Sequence, residues 1–115
     1  MSSSTAEQVL LVFSNLPDQP LAETLARMLV EQGLAACVNI LPPVQSIYRW
    51  QGKLEQASEV SLMIKTTQAR YAELEAAIRA AHPYEVPEIL AIPAGAGLPS
   101  YLQWVVDETK KDLNA

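Results

Sequence analysis

The sequence predicts a mixed α+β fold, a ferredoxin-like split βαβ sandwich with the order β-α-β-β-α-β and a further C-terminal helix. Three observations predict it. Short apolar or alternating runs, which suit strands, are separated by segments of helical periodicity. A tight-turn signal joins the two middle strands directly into a hairpin. Because β-α-β crossovers are right-handed, two such units around a hairpin form one sheet with helices on one face.

The first half of the chain opens with a continuous apolar run at residues 9–13, which is typical of a strand buried on both faces. The segment from Asn15 to Asp18 is expected to end this strand. Asp18 is a candidate N-cap with Pro20 in the first helical turn, and apolar residues recur at helical spacing over residues 19–32. Gly33 stands where a C′ glycine would end the helix.

The middle of the chain predicts a long hairpin. A strand over residues 35–41 is interrupted by Pro42 and Pro43, resumes at residues 46–50, and returns over residues 53–65 after a Gln51-Gly52 turn. The returning strand could reach about 44 Å, at roughly 3.4 Å per residue. A compact domain of this length is only about 34 Å across.

The tip of this hairpin is therefore expected to project beyond its own core and to pair with another copy of the chain. In the alternative, the proline pair bends the hairpin back onto its own sheet. Tyr48, Trp50 and Lys53 are the candidate residues of the interface between protomers, and the two aromatic residues are expected as interface anchors rather than ligand platforms.

The second half predicts a helix that begins after Thr66-Thr67 and ends before Pro83, a short strand at residues 89–92, and a third helix that opens at Pro99. No boundary divides the chain. Residues 1–7 are expected to be a disordered polar tail, and residues 8–115 a single domain.

The composition excludes several classes of function. Half of the 115 residues are hydrophobic and 18% are charged, which is a globular composition. The net charge is −5 and no basic run occurs, so neither nucleic acid nor a membrane is expected as a partner. Cys37 is the single cysteine and cannot form an internal disulfide; it is read as a small buried residue, with a reactive thiol as the alternative. The first residues lack a basic signal segment, and we expect the cytoplasm.

Five separated segments of the chain resemble the CutA family of divalent-cation tolerance proteins. They are LAACVN at 34–39, SIYRWQGK at 46–53, the segment at 59–67, HPYEVPEI at 82–89 and YLQW at 101–104. The resemblance covers residues 9 to 106. It implies a ferredoxin-like protomer, a homotrimer, and a role in tolerance of copper and other divalent cations. It also implies an architecture similar to that of the PII signalling proteins.

The resemblance carries the family's copper site over only in part. In its best-known bacterial form, copper is associated with a cysteine at the end of the first strand and with two adjacent histidines before Pro-Tyr. Ser14 and Ala81 stand at two of these positions, so His82 is the one candidate ligand for copper or another divalent cation. Glu85 and Glu88 could add carboxylate oxygens. Alternatively, His82 only caps the end of the second helix.

A cleft between protomers is the second candidate site, with Glu59, Lys65, Tyr84 and Glu88 as its expected residues. Lys65 would bind an anionic ligand there, or would form an interface salt bridge with a glutamate. No nucleophile-base pair and no phosphate-binding loop is recognisable, so no enzyme is predicted. The two functional hypotheses are a non-enzymatic trimer for metal tolerance and a PII-like signalling or scaffold trimer that binds a small ligand or partner protein in its clefts.

Overall fold

The computed structural model describes residues 5–111, and their mixed α+β fold confirms the predicted class. The strands are β1 (Val9–Leu16), β2 (Cys37–Ile40), β3 (Val44–Trp50), β4 (Lys53–Thr67) and β5 (Leu90–Pro93). The helices are α1 (Gln19–Glu31), α2 (Gln68–Ala81) and α3 (Pro99–Thr109), and a 3-10 turn over Thr5–Glu7 precedes β1.

All strand pairs are antiparallel, and β4 organises the sheet. The order is β2-β4-β1-β5, with β3 paired to the distal half of β4. In the centre, Val12 lies opposite Ile64 on β4, and on the other side of β4 Val38 lies opposite the same residue. The crossover through α1 therefore joins two strands that are separated by β4.

The main core lies between the sheet and the pair α1 and α2. Alternate residues of a strand face opposite sides of a sheet, and Leu10 and Val12 of β1 face this core. Leu29, Leu62 and Ile78 join them and are fully buried. A smaller cluster of Val9, Ala36 and Val105 lies under α3. Because Val9 and Leu10 point to opposite faces, α3 covers the face of the sheet that α1 and α2 leave open.

Two element boundaries differ from the sequence prediction. β1 continues through Leu16, because Asn15 remains in register with Ser61 of β4 instead of turning. β2 begins only at Cys37, because the amides of Leu34 and Ala35 still bond to the carbonyl oxygen of Leu29 at the end of α1. Gly33 supplies the expected left-handed residue there, with a φ of 69°.

The hairpin of β3 and β4 projects as an arm, so the alternative in which the prolines bend it back is wrong. The domain measures 50 × 30 × 24 Å. Pairing runs from Val44 opposite Glu59 to Trp50 opposite Lys53, and Gln51 and Gly52 form the tip with positive φ angles. Pro42 and Pro43 separate β2 from β3, which ends the first ladder without reversing the direction of the chain.

Outside the described residues lie 1–4 of the predicted tail and 112–115 of the predicted domain. Of the predicted tail, Thr5–Glu7 form a 3-10 turn, so regular structure begins before β1. The turn is anchored by Gln8, whose carbonyl oxygen accepts the amide of Gln68 at the start of α2. Within residues 5–111, no helix is long and apolar enough to cross a membrane.

Candidate functional site

A groove of about 730 Å³ lies where the arm leaves the domain, and the loop between α2 and β5 forms its other wall. Strands β1, β3 and β4 supply the rigid side, and residues 82–88 supply the loop side. The lining residues are Asn15, Ser46, Ile47, Tyr48, Trp50, Glu59, Tyr84, Glu85, Val86 and Glu88. Five residues predicted from sequence thus line one groove. Two were predicted for the interface, Tyr48 and Trp50, and three for the cleft, Glu59, Tyr84 and Glu88.

Glu59 and Tyr84 join the two walls of the groove. Tyr84 donates a hydrogen bond from its hydroxyl to Oε2 of Glu59 at 2.9 Å. Glu59 is only 7% exposed, although it is a carboxylate. Burial and, next, the hydrogen bond to Glu59 raise the pKa of Tyr84 from its ordinary 10.0 to about 12. The phenol therefore remains a hydrogen-bond donor throughout the physiological range.

His82 anchors the loop beneath the groove. It caps α2, and its extended backbone is the conformation that Pro83 favours in the preceding residue. The ring Nδ1 accepts the amide N–H of Tyr84 at 3.2 Å, so Nε2 carries the proton and donates to the carbonyl oxygen of Asn15 at 2.7 Å. The ring is buried and packs against Tyr84 with 4.7 Å between centroids. These bonds fix the loop to β1.

A second chain of hydrogen bonds fixes the far end of the loop. Asn15 donates from Nδ2 to Oε1 of Glu88 at 3.1 Å, and its Oδ1 accepts the hydroxyl of Ser61 at 2.6 Å. Asn15 therefore touches both ends of the loop, through its carbonyl oxygen at His82 and through its side chain at Glu88. The strand register sets the position of the loop.

The remaining candidate residues lie elsewhere. Lys53 is exposed at the tip of the arm, opposite Trp50. Lys65 lies further along β4, where its ammonium group donates to Oδ1 of Asn39 and lies 3.9 Å from Sγ of Cys37. Cys37 is a half-buried free thiol rather than a buried core residue, because β2 turns Val38 towards the main core and Cys37 towards the opposite face of the sheet.

The residues that resemble part of the family's copper site do not fit a metal ion within one chain. Both ring nitrogens of His82 are engaged in hydrogen bonds, so coordination would break one of them. Ser14 is fully buried and its hydroxyl has no partner among residues 5–111. Across that same range, no three His, Cys, Asp or Glu side chains come together as a ligand group.

Sequence reasoning missed Asn15 as a site residue, and it did not place Ile47 or Val86 in the groove. Asn15 was read as a strand breaker because asparagine favours turns. The sequence does contain one sign of the role of Asn15, because this polar residue directly follows the buried residues of β1, near the end of the strand. Ile47 and Val86 are 67% and 66% exposed, and apolar residues so exposed become informative only when neighbouring elements enclose them.

Comparison with known proteins gives the relatives of this chain. Residues 10–108 match the model of the CutA1 divalent ion tolerance protein family. The chain belongs to the CutA1 family. Among its relatives, it is 45% identical to the divalent-cation tolerance protein CutA of Thermus thermophilus, over 90% of this chain and 98% of that protein. It is also 45% identical to mouse protein CutA over 90% of this chain.

The chain spans about three fifths of the vertebrate CutA proteins it matches, with 58% of the mouse protein and 60% of the Xenopus laevis homologue covered. Solved structures of family members have the same fold. CutA of Xylella fastidiosa gives a TM-score of 0.87 at 45% identity, with 90% of this chain and 99% of that chain covered. CutA1 of Oryza sativa gives 0.88 at 35% identity, with 95% and 100% covered.

Proposed function

We propose that this CutA family member is a non-enzymatic homotrimer of ferredoxin-like protomers that serves divalent-cation tolerance by binding a ligand in the grooves at the base of its arms. The observation that carries the proposal is the groove itself, which combines a buried carboxylate with exposed aromatic rings. In the trimer, the arms bring a second protomer close to each groove, so the sites become clefts between subunits. A PII-like signalling or scaffold role would use the same clefts for a small ligand or a partner protein.

The exposed apolar surface of the arm supports oligomerisation. Ile47 and Leu54 on the arm are 67% and 71% exposed, and Tyr48 and Trp50 are more than 40% exposed. Both long edges of the arm carry backbone groups that can pair with another strand. An arm that docks on a neighbour in a head-to-tail manner closes into a ring, and three protomers are the number that the family resemblance implies.

Two features support binding rather than catalysis. The imidazole of His82 has both nitrogens engaged in holding the loop, so it is not poised to move a proton. The hydroxyl of Tyr84 keeps its proton up to a pKa of about 12, so it serves as a hydrogen-bond donor and not as a base. We place this activity in the cytoplasm, although relatives include a protein described as chloroplastic and one described as periplasmic.

The oligomer is tested by analytical ultracentrifugation of the whole chain beside the variant Ile47→Asp/Leu54→Asp. We expect the wild type at three times 12.6 kDa and the variant at the monomer mass, because two charges replace the apolar contact surface of the arm. Val30→Asp is the matched control, since Val30 is 43% exposed on α1, away from the arm. A monomeric wild type would sink the proposal.

Copper is the ligand that the family resemblance implies, and its binding is tested by calorimetric titration of Cu²⁺ into the wild type and His82→Gln. Because the imidazole is engaged in the loop, we expect weak heats that are the same in both proteins. The oligomer mass and the melting temperature are recorded on the same samples. A saturable site with fixed stoichiometry that His82→Gln removes would place copper at His82 and contradict the geometric argument.

A further inference from the structure

We propose that the groove binds the cationic head of a small organic amine or guanidinium compound, and that the head donates an N–H hydrogen bond to Glu59. The proposal rests on the proposed function, because it names the ligand class of the same groove. It follows from the burial of one carboxylate, the charge of the lining, the aromatic rings and the size of the groove.

The carboxylate of Glu59 has no counter-ion among the residues that the structure describes. Glu59 as a whole is 7% exposed, and its Oε2 accepts the hydroxyl of Tyr84. Oε1 accepts no hydrogen bond from residues 5–111, and no Lys, Arg or His of that range forms an ion pair with it. Oε1 is not among the fully buried atoms without a partner, so it reaches the groove, where a cation with an N–H group would bond to it and compensate its charge.

The rest of the lining carries the same sign of charge. Glu85 and Glu88 also line the groove, and no lysine or arginine of residues 5–111 does. Three carboxylates around one cavity attract cations and repel anionic ligands such as phosphates or carboxylates. Glu59 and Glu88 each have one oxygen in a hydrogen bond, but Glu88 is exposed to water whereas Glu59 is buried, which makes Glu59 the expected primary contact.

The aromatic residues select an organic cation over a bare metal ion. Tyr48, Trp50 and Tyr84 line the groove, and the faces of such rings attract ammonium and guanidinium groups. The volume of about 730 Å³ is within the roughly 300–1,000 Å³ that is usual for sites of small molecules. A quaternary ammonium has no N–H to offer to Oε1 of Glu59, so primary amines and guanidinium compounds are favoured.

The test is calorimetric titration of the wild-type protein, at its measured oligomer mass, with benzylamine, benzyl alcohol and tetramethylammonium. Benzyl alcohol is the neutral isostere of benzylamine, and tetramethylammonium keeps the charge without an N–H. We expect saturable binding of benzylamine at one site per protomer and at least tenfold weaker binding of the other two probes. Equal binding of benzyl alcohol would contradict the role of the charge.

Variants at two tyrosine-carboxylate pairs make the test specific. Glu59→Gln should weaken benzylamine binding roughly 10–100-fold, as expected for loss of a hydrogen bond to a charged group. Glu59→Asp keeps the charge but moves the carboxylate oxygens away from the groove by one methylene group, and it should weaken benzylamine binding less than Glu59→Gln does. Glu75→Gln is the matched control, because Glu75 accepts the hydroxyl of Tyr71 at the same 2.9 Å on α2, outside the groove. The affinity of this variant for benzylamine should equal that of the wild type.

The outcomes separate this inference from the proposed function. A trimer that ignores benzylamine but is stabilised by another ligand overturns the cation class and leaves the cleft-binding trimer in place. A trimer that ignores benzylamine and dissociates on Glu59→Gln shows that a second copy of the chain supplies the cation, which overturns the small-ligand proposal. A monomer that binds benzylamine with the expected dependence on Glu59 supports the cation site and contradicts the trimer.

Discussion

Replacing Tyr84 with phenylalanine isolates the bond that joins the two walls of the groove. The ring and its packing against His82 are kept, and only the hydroxyl that donates to Glu59 at 2.9 Å is lost. Glu59 then loses the one hydrogen bond that its side chain accepts within residues 5–111. This loss matters because Glu59 is almost fully buried. We expect Tyr84→Phe to lower the free energy of unfolding.

Two routes give the size of this loss. A hydrogen bond to a charged group contributes about 1.5–3 kcal/mol. The pKa of Tyr84 is raised from 10.0 to about 12, mainly by burial and then by the bond to Glu59. Two pKa units correspond to about 2.7 kcal/mol between the neutral and the ionised phenol, and this is an upper bound on the bond, because burial is the largest cause of the shift and the groove is open to water. Together they predict a loss of about 1–2 kcal/mol at pH 8.

The pKa of Tyr84 also sets the dependence on pH. Below pH 10 this phenol is protonated in both the folded and the unfolded chain, and its stabilising contribution is complete. Between pH 10 and pH 12 the unfolded chain releases the proton while the folded chain keeps it, so the contribution falls and is lost as the pH passes about 12. The stability of the wild type should therefore approach that of Tyr84→Phe over this interval.

The assay is urea unfolding of both proteins at pH 8, 10 and 11.5, at a fixed protomer concentration because association contributes to stability. Other tyrosines and lysines titrate in both proteins, so only the difference between the curves is interpreted. Tyr71→Phe serves as a comparison at the pair outside the groove. Equal stability of wild type and Tyr84→Phe at pH 8, or a difference that does not change with pH, would refute the reasoning.

Three further substitutions test the fold. Leu62→Ala should lower the free energy of unfolding by about 2–5 kcal/mol in urea unfolding, because Leu62 is fully buried in the main core. Asp18→Ala should cost about 1 kcal/mol in the same assay, since its carboxylate accepts the amide of Leu21 at 2.9 Å as the N-cap of α1; an unchanged midpoint would contradict this. Ser14→Ala should be neutral or raise the melting temperature, because it removes a buried hydroxyl that has no partner within residues 5–111, and a marked loss of stability would reveal a bond from Ser14.

Much of the fold could be predicted because its signals are local. The cap at Asp18, the left-handed Gly33 and the turn at Gly52 each appear in the sequence beside the element they end or begin. The arm could be predicted from length alone, since the return strand is longer than the domain is wide. The end of β1 could not, because the conformation of Asn15 depends on its register with Ser61, which lies 46 residues away.

The candidate site was only partly predictable for the same reason. Glu59, Tyr84 and Glu88 were expected in one cleft because they lie near the hairpin or the His82 loop in the sequence, and they line one groove. Lys65 was expected with them, but it lies six positions after Glu59 on β4. At that distance along the strand its neighbours are different, and Lys65 lies beside Asn39. Which nitrogen of the His82 ring carries the proton could not be predicted from sequence, because it depends on the carbonyl oxygen of Asn15 in β1.

The sequence by itself determined the α+β class, the order of the elements, the caps and the projecting arm, because hydrophobic period, turn chemistry and chain length are properties of neighbouring residues. Only the tertiary structure decided that Asn15 fixes the loop at both ends, that His82 holds the loop through both ring nitrogens, and that Glu59 lies buried without a counter-ion among residues 5–111. Those properties depend on which groups, distant in sequence, lie side by side in the folded chain, and strand register and packing alone bring them together.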